Sequence, residues 1–330
     1  MDSFRAYRID SVDGAIVAGF KTLNVADLTA GNVVVRVTHS TINYKDALAA
    51  TGAGRILRKY PLNGGIDLAG EVLSSEDDAF QPGAAVLVNG CGLSETFDGG
   101  YSEYARVDSN SLVAIPDGMS AIEAMQIGTA GYTAALAIHR MEQNDQTPDS
   151  GPIVVTGATG GVGSVAIDML ASRGYEVVAL TGKASEEAYL RKIGASRILL
   201  REETDLGKRP MEKAQWGGAI DNLGGDYLTW LTRTVNYGGN IASIGLASSA
   251  ALNTTVLPFI LRAVCLLGIN SVDTPPDLRR AVWERIGSDL KPQHLNTIGS
   301  KTISFDELPD AFQAYIDGTV TGRVVVQIAS

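Results

Sequence analysis

Ile153-Val154-Val155-Thr156-Gly157-Ala158-Thr159-Gly160-Gly161-Val162-Gly163 is the stretch on which the fold turns. Its apolar start reads as a buried strand, and Val165 to Ser172 behind the glycines reads as a helix. Glycines 157, 160 and 163 allow a tight turn that brings backbone N–H groups and a helix N-terminus onto a diphosphate, where larger side chains would block the approach. A glycine-rich run alone is weak, and its competing reading is a tight turn with no ligand. Here a strand precedes it, a helix follows, and a second strand comes at Glu176-Val177-Val178-Ala179-Leu180, so we read a dinucleotide site.

Downstream, Arg197 to Leu200, Gly218 to Asp221, Gly239 to Ile244 and Val264 to Gly268 are short apolar runs alternating with helical segments. That is the signature of a parallel sheet covered on both faces, a Rossmann-like doubly wound α/β unit. Upstream, Ser120 to His139 carries apolar residues at helical spacings, with Ser120 and Glu123 as a capping box. Gln143 to Gly151 reads as a surface loop. Before Ser120 the chain is β-rich: Val33 to Thr38, Gly70 to Leu73 and Ala85 to Val88 are strand candidates between glycine-marked turns, pointing to a partly open barrel. The tail ends in the β run Arg323 to Ile328; no helix–strand alternation is expected after Pro292, and the tail is read as returning to the first domain.

A length of 330 residues fits two domains, and 45% hydrophobic with 19% charged residues is a globular composition. The net charge of -10 repels phosphate backbones and anionic lipid, so neither nucleic acid nor membrane is an expected partner. Cys91 and Cys265 lack the spacing of a disulfide framework or a structural zinc site. The start MDSFRAYRID shows no secretory pattern. Val256 to Ile269, the most apolar stretch, is interrupted by Pro258 and Arg262 and too short to span a bilayer. The expectation is a soluble, reduced, cytoplasmic protein.

The end of the second strand bears on which dinucleotide is bound. An NAD site wants Asp or Glu there for the ribose 2′-hydroxyl, whereas this chain reads Ala179-Leu180-Thr181-Gly182-Lys183. A hydroxyl and a cation suit a 2′-phosphate, so NADP(H) is preferred. Glu186 and Glu187 read as a solvated first helical turn. Arg201 either reaches the same phosphate or is simply exposed; spacing leaves both open.

A β-rich first part, the Ala158 to Gly163 turn in a dinucleotide fold and a returning β segment together resemble the medium-chain dehydrogenase/reductase superfamily. Asn43-Tyr44-Lys45-Asp46, Gly65 to Gly70, Ile127 to Ala134, Val154 to Gly163, Leu190 to Arg197, Asn236 to Gly239 and Pro258 to Arg262 resemble, within it, the acryloyl-CoA reductase branch of the quinone oxidoreductase family. The resemblance spans nearly the whole chain. It implies a GroES-like β-domain over residues 1–121, completed by 293–330, and an NADP-binding domain over 122–292. It further implies NADPH-dependent reduction of an activated carbon–carbon double bond in a small enoyl-CoA or quinone-like substrate, and a homodimer as the usual assembly.

The chain departs from zinc-dependent members of the superfamily. Where they carry a cysteine it has Asn43-Tyr44-Lys45-Asp46, and where they carry a His-Glu pair it has Ile66-Asp67. Cys91, Cys265 and histidines 39, 139 and 294 do not form a sequence-adjacent zinc set, so no metal is expected. That leaves hydride addition to an electron-poor alkene. The protein must align the reacting carbons, offer donors to the enolate oxygen and exclude water.

By the resemblance, Tyr44 lies at the cofactor, either packing on the nicotinamide or donating its hydroxyl to the developing charge. Asn43 orients the ring or the substrate carbonyl, or caps a turn; Asp46 tunes Tyr44 or Lys45, or is the N-cap of a short helix. Cofactor contacts carry onto Tyr44, onto Gly157, Ala158, Thr159, Gly160, Gly161, Val162 and Gly163, onto Thr181, Gly182 and Lys183, and onto Arg201, Leu246, Ile260 and Ser271. Leu246 and Ile260 also read as core residues. Arg55, Arg58 and Lys59 form a basic cluster that either meets coenzyme A phosphates or is a surface loop. Lys45 reads as a solvated charge, Cys91 as a small buried residue, His39 as a structural histidine, and Trp216, Trp230 and Trp283 as core or interface. Competing functions are an acryloyl-CoA reductase, a quinone or general enone reductase, and a non-catalytic NADPH-binding protein.

Overall fold

The computed structural model describes residues 3–329, which divide into two units. The first takes the described residues up to Thr129, Ser271–Gly287 and the segment from Gly299 on; the second takes Ala130–Asn270 and Ser288–Ile298.

The first unit opens with β1 (Phe4–Val12), β2 (Ala15–Leu23), β3 (Val33–Thr41), helix α1 (Tyr44–Thr51), β4 (Leu62–Asn63), β5 (Asp67–Ser75), β6 (Ala85–Asn89), β7 (Tyr104–Val107) and β8 (Val113–Ala114). Period-two burial explains β3: Val33, Val35 and Val37 are buried while Val34 and Arg36 between them are not. Strands β2, β1 and β4 form a three-stranded sheet, and β3 pairs antiparallel with both β5 and β7.

Helix α2 (Ala121–Gln143) runs from the first unit into the second and is broken at Gly128 (φ 49, ψ -160). Its expected capping box is present: the Ser120 N–H donates to Glu123 Oε2 at 2.8 Å and the Glu123 N–H to Ser120 Oγ at 3.3 Å.

The second unit continues with β9 (Ile153–Thr156), α3 (Gly161–Ser172), β10 (Val177–Thr181), α4 (Glu187–Lys192), β11 (Arg197–Leu200), β12 (Trp216–Asp221), α5 (Gly225–Thr234), β13 (Val235–Ser243), α6 (Leu257–Arg262) and β14 (Cys265–Gly268). Its strands are all parallel in the order β11-β10-β9-β12-β13-β14. This is the doubly wound order, with the reversal between β9 and β12 where such sheets bind ligands. Strands β9, β10 and β12 are buried throughout, which is why they read as unbroken apolar runs. The loop at 143–151 is not wholly superficial: Gln146 is buried, and its Oε1 accepts from Asn240 Nδ2 at 3.1 Å.

Last come α7 (Pro276–Ile286), α8 (Leu295–Ile298), β15 (Lys301–Ser304), α9 (Leu308–Ile316) and β16 (Val324–Gln327). The tail is therefore not free of helix–strand alternation, because α9 lies between the parallel pair β15 and β16. Leu308 and Phe312, four apart, bury one face of α9 in the core of the first unit, with Ala311, Tyr315 and Ile316 packed against it. Strand β16 pairs antiparallel with β3, so the tail rejoins the first sheet.

Candidate functional site

In the second unit the β9–α3 turn follows the first strand of the doubly wound order. The chain closes it tightly: the Gly160 N–H donates to Gly157 O at 3.0 Å, and the Ala158 N–H reaches Leu180 O on β10 at 3.2 Å. A Cβ on Gly163 would lie 2.5 Å from Gly157 O and 2.8 Å from Ala158 Cα, so that position must be glycine for the turn to pack. Gly160 differs. It has ordinary extended φ/ψ, and a Cβ there would meet only Gly157 O, at 3.3 Å. Ala158 and Thr159 are buried, whereas Gly160 is exposed. Gly161, Val162 and Gly163 form the first turn of α3, where backbone N–H groups have no intrahelical acceptor. Such a turn can hold an anion by those amides and the helix dipole.

A buried network behind the turn was not singled out from sequence. Thr156 Oγ1 donates to Asp221 Oδ1 at 2.7 Å, and Asn222 Nδ2 donates to Thr156 O at 2.7 Å, tying the ends of β9 and β12 together. Burial pushes the Asp221 carboxyl up. Asn222 Oδ1 is buried with no hydrogen-bond partner among the described residues, beside Gly157. The weak sequence signal was a polar Asp-Asn pair ending an apolar strand.

Beyond β10, Thr181, Gly182, Leu200, Arg201, Glu202 and Tyr227 line a recess. The Lys183 N–H donates to Thr181 Oγ1 at 3.0 Å, and the Arg201 N–H to Thr181 O at 2.9 Å. The Arg201 guanidinium lies 5.0 Å from the Tyr227 ring centroid and its Nε donates to Tyr227 Oη at 3.2 Å, which holds it against the recess. Burial lowers the Lys183 ammonium, opposed by Glu186. No carboxylate ends β10, although Glu202 sits in the lining. The turn amides, two cations and a buried orphan acceptor fit a phosphorylated dinucleotide.

Leu246 and Ile260 are not core residues. They are 67% and 69% exposed, because each follows a strand or lies on a short helix outside the packed sheet. Ser271 falls in the first unit, where its carbonyl accepts from Arg279 Nη2 at 3.2 Å.

In the first unit, Asn43 caps α1 and makes the capping box with Asp46 at N3. Asp46 is thus not the N-cap, since the helix begins at Tyr44, two residues earlier. Asn43 is also a hub: Nδ2 donates to Asp67 Oδ2 at 2.7 Å and Asp46 Oδ2 at 3.2 Å, while Oδ1 accepts from Arg323 Nη1 at 3.0 Å. Arg323 Nη2 donates to Thr41 Oγ1 at 2.8 Å and lies 3.9 Å from Asp67 Oδ2. The break at Gly128 brings the Thr129 N–H to Asp67 at 3.0 Å and its hydroxyl at 2.6 Å. A Cβ on Gly128 would meet Arg323 Nη2 at 2.6 Å and Asp67 Oδ2 at 2.9 Å. Asp67 and Arg323 were not among the named site residues, although Ile66-Asp67 stands where zinc-dependent members carry a His-Glu pair and Arg323 opens the last β run.

Burial pushes Asp46 up to about 7, with the Asp67 charge adding and the Asn43 and Ile66 hydrogen bonds opposing. Burial raises Asp67 too, against Arg323. Two enclosed carboxylates thus lie under the N-terminus of α1, whose first residue, Tyr44, is 51% exposed. The arrangement can hold a proton near neutrality beneath an accessible phenol.

Lys45 is not merely solvated, for its Nζ pairs with Glu95 Oε1 at 2.7 Å. His39 is half-buried, contacts Thr38 Oγ1 at 3.1 Å, and is lowered by burial. Cys91 is partly buried and its thiol is raised by burial. Trp216, Trp230 and Trp283 are buried. His294 contacts buried Asp168 of α3 at 3.0 Å. Among the described residues no group of three or more His, Cys, Asp or Glu is gathered to hold a metal ion, so the site does not fit the zinc that some relatives' family name implies.

Comparison with known proteins matches residues 29–117 to the alcohol dehydrogenase GroES-like domain and 161–288 to the zinc-binding dehydrogenase family. The chain is 45% identical over 326 residues to the "Putative quinone oxidoreductase YhfP" of Bacillus subtilis, covering 98% of this chain and 99% of that one. The crystal structure of that Bacillus protein with NAD bound superposes with a TM-score of 0.96, at 45% identity, covering 99% of this chain and 100% of that one. Identity is 43% over 320 residues to the "Acrylyl-CoA reductase AcuI" of Ruegeria pomeroyi, 97% of each. The yhdH oxidoreductase from Salmonella enterica, solved in complex with NADP, superposes with a TM-score of 0.95 at 44% identity, covering 98% and 100%. Matched along nearly its full length, with a GroES-like domain and a doubly wound parallel sheet, the chain is an oxidoreductase of the medium-chain dehydrogenase/reductase superfamily, akin to its quinone oxidoreductase and acrylyl-CoA reductase members.

Proposed function

We propose that this protein is an NADPH-dependent reductase of the activated double bond of a small enoyl thioester, converting acryloyl-CoA to propionyl-CoA. The observation that carries the coenzyme assignment is the recess beyond β10, lined by Thr181, Gly182 and Arg201 with Lys183 next in sequence, where no strand-end carboxylate repels a 2′-phosphate. The Ruegeria relative, named an acrylyl-CoA reductase, supports the substrate. The Bacillus relative favours a second reading, a quinone or general enone reductase on the same scaffold, and its structure holds NAD.

When bound, NADPH supplies the hydride. The first-turn amides of α3 hold the diphosphate, and Lys183 with Arg201 holds the 2′-phosphate. Tyr44 packs on the nicotinamide or donates its hydroxyl to the enolate oxygen. Asn43 and Asp46 fix the start of α1 and hence the Tyr44 backbone. NADPH oxidation across acryloyl-CoA, a benzoquinone and simple enones, with NADH as control, tests the reading: acryloyl-CoA with NADPH is expected to give the highest kcat/KM. A benzoquinone turned over faster would favour the second reading. Tyr44→Phe separates the two roles, since unchanged turnover rules out hydroxyl donation and leaves packing.

The assembly we propose is a homodimer. Strand β14 is an edge of the six-stranded sheet, and Val256, Leu261 and Leu266 around it are exposed. Light scattering is expected to give twice 34.7 kDa. Among the described residues no helix is long and apolar enough to cross a membrane, and we read the enzyme as cytoplasmic.

A further inference from the structure

We propose that the recess walled by Lys45, Arg55, Ile56, Leu57 and Arg58 over Glu95 seats the phosphorylated arm of a coenzyme A thioester. The inference rests on the enoyl-thioester reading above and assigns it a subsite.

Three cations and one carboxylate line this recess, in a chain whose net charge is -10. The single carboxylate is already engaged. Glu95 Oε1 accepts from Lys45 Nζ at 2.7 Å, and its other oxygen lies 4.0 Å from Arg58 Nη2. Glu95 is the enclosed member, with a side chain 12% exposed against 73% for Arg58. It therefore serves as the floor on which two cations are gathered, and does not itself face outward as a competing anion.

Arg55 is exposed and has no ion pair or side-chain hydrogen bond among the described residues. Clustered like charges cost free energy by mutual repulsion unless an anion relieves them. A dianionic phosphate suits the planar guanidinium pair, which offers forked donors.

The segment is anchored rather than loose. The Arg58 N–H donates to Glu95 O at 2.8 Å, the Gly54 N–H donates to Leu48 O at 3.2 Å, and Leu57 is buried in the core. Ile56 and Leu57 give the recess an apolar wall between its charges. Lys59, next along, lies 5.9 Å from the half-exposed Phe97 ring. Lys45 follows Tyr44 on α1, so the recess shares an element with the residue proposed to act at the reacting end.

The test is calorimetric binding of coenzyme A, its dephospho form, pantetheine and inorganic phosphate to the full chain, as wild type, Arg55→Gln/Arg58→Gln and Arg55→Lys/Arg58→Lys. Both arginines are exposed, so neither variant opens the core. The wild type is expected to prefer coenzyme A to pantetheine by about five- to tenfold, as two exposed ion pairs allow, with the preference fading at high salt. The glutamine variant is expected to lose that preference and the lysine variant to keep part of it. A glutamine variant that keeps the full preference overturns the proposal, as does inorganic phosphate binding as tightly as coenzyme A. Turnover of acryloyl-CoA and acryloyl-pantetheine separates the two readings. Failure of the wild type on both esters sinks the thioester reductase, whereas equal KM for both sinks only this subsite.

Discussion

Asn43 donates its side-chain amide to Asp67 at 2.7 Å, and that bond ties the cap of α1 to the first residue of β5. Both are buried, and Arg323 completes the set by donating to the Asn43 carbonyl. The cluster holds two carboxylates and one guanidinium away from water. Its worth lies in geometry more than in stability, because desolvating such charges offsets much of their attraction.

Arg323→Met removes the cluster's one guanidinium and leaves Asp67 facing only neutral donors. It is expected to cost about 3–5 kcal/mol in urea unfolding. The double variant Arg323→Met/Asp67→Asn is expected to recover part of that loss. A double variant that costs the sum of Arg323→Met and Asp67→Asn measured singly would show that the charges are not coupled.

Asp46 gives stability a pH signature. Its folded pKa, about 7, lies above its ordinary value of 3.8, so the folded state binds the proton more tightly. The stabilising contribution is fully present below about pH 4 and is lost as pH rises through about 7, at roughly 1.4 kcal/mol per pH unit in between. Asp67 and Asp221 shift in the same direction. Asp46→Asn removes this slope, and it sets an amide against the Asn43 or Ile66 N–H that Asp46 now accepts. The variant is expected to be less stable at about pH 5, with the deficit narrowing towards pH 8; a deficit constant with pH would refute the shift.

Gly160 and Gly163 separate packing from binding. Gly160→Val meets only a 3.3 Å contact at its Cβ and keeps permitted backbone angles, so the melting temperature is expected to stay within a few degrees. NADPH affinity is expected to fall by tenfold or more, because the side chain crowds the diphosphate approach. Gly163→Val instead strikes backbone at 2.5 Å and is expected to unfold at lower temperature with or without coenzyme. Undiminished NADPH binding by Gly160→Val would place the diphosphate elsewhere.

Coenzyme choice follows from the Lys183 side chain. Lys183→Ala is expected to weaken NADPH by about three- to tenfold while sparing NADH, as loss of one charge-assisted phosphate contact requires. Arg201→Ala is expected to act in the same direction. Equal weakening of both coenzymes would remove the 2′-phosphate from this recess.

The β9–α3 turn was legible because its message is local: glycines at fixed offsets, an apolar strand before and a helix after. The central strands β9, β10 and β12 were legible for the same reason, being buried on both faces. Helix α9 was missed since its apolar positions, Leu308 and Phe312, sit in a short segment opened by a proline-containing turn. Leu246 and Ile260 read as cofactor contacts by the resemblance and alternatively as core residues, and the packing leaves both outside the core.

Sequence by itself determined the parallel sheet, the glycine turn and the absence of a carboxylate after β10, because backbone sterics and side-chain period act over a few residues; the superfamily came from the resemblance of its motifs. Tertiary structure alone decided the Asn43–Asp67–Arg323 cluster, whose cap and guanidinium are 280 positions apart, and the joining of Glu95 to Lys45 and Arg58. The Asn43–Asp67–Arg323 cluster depends on β16 pairing with β3 and on a helix broken at Gly128. Electrostatics acts through space, and a charge in an apolar run shows its partner only once the strands that carry the two have met.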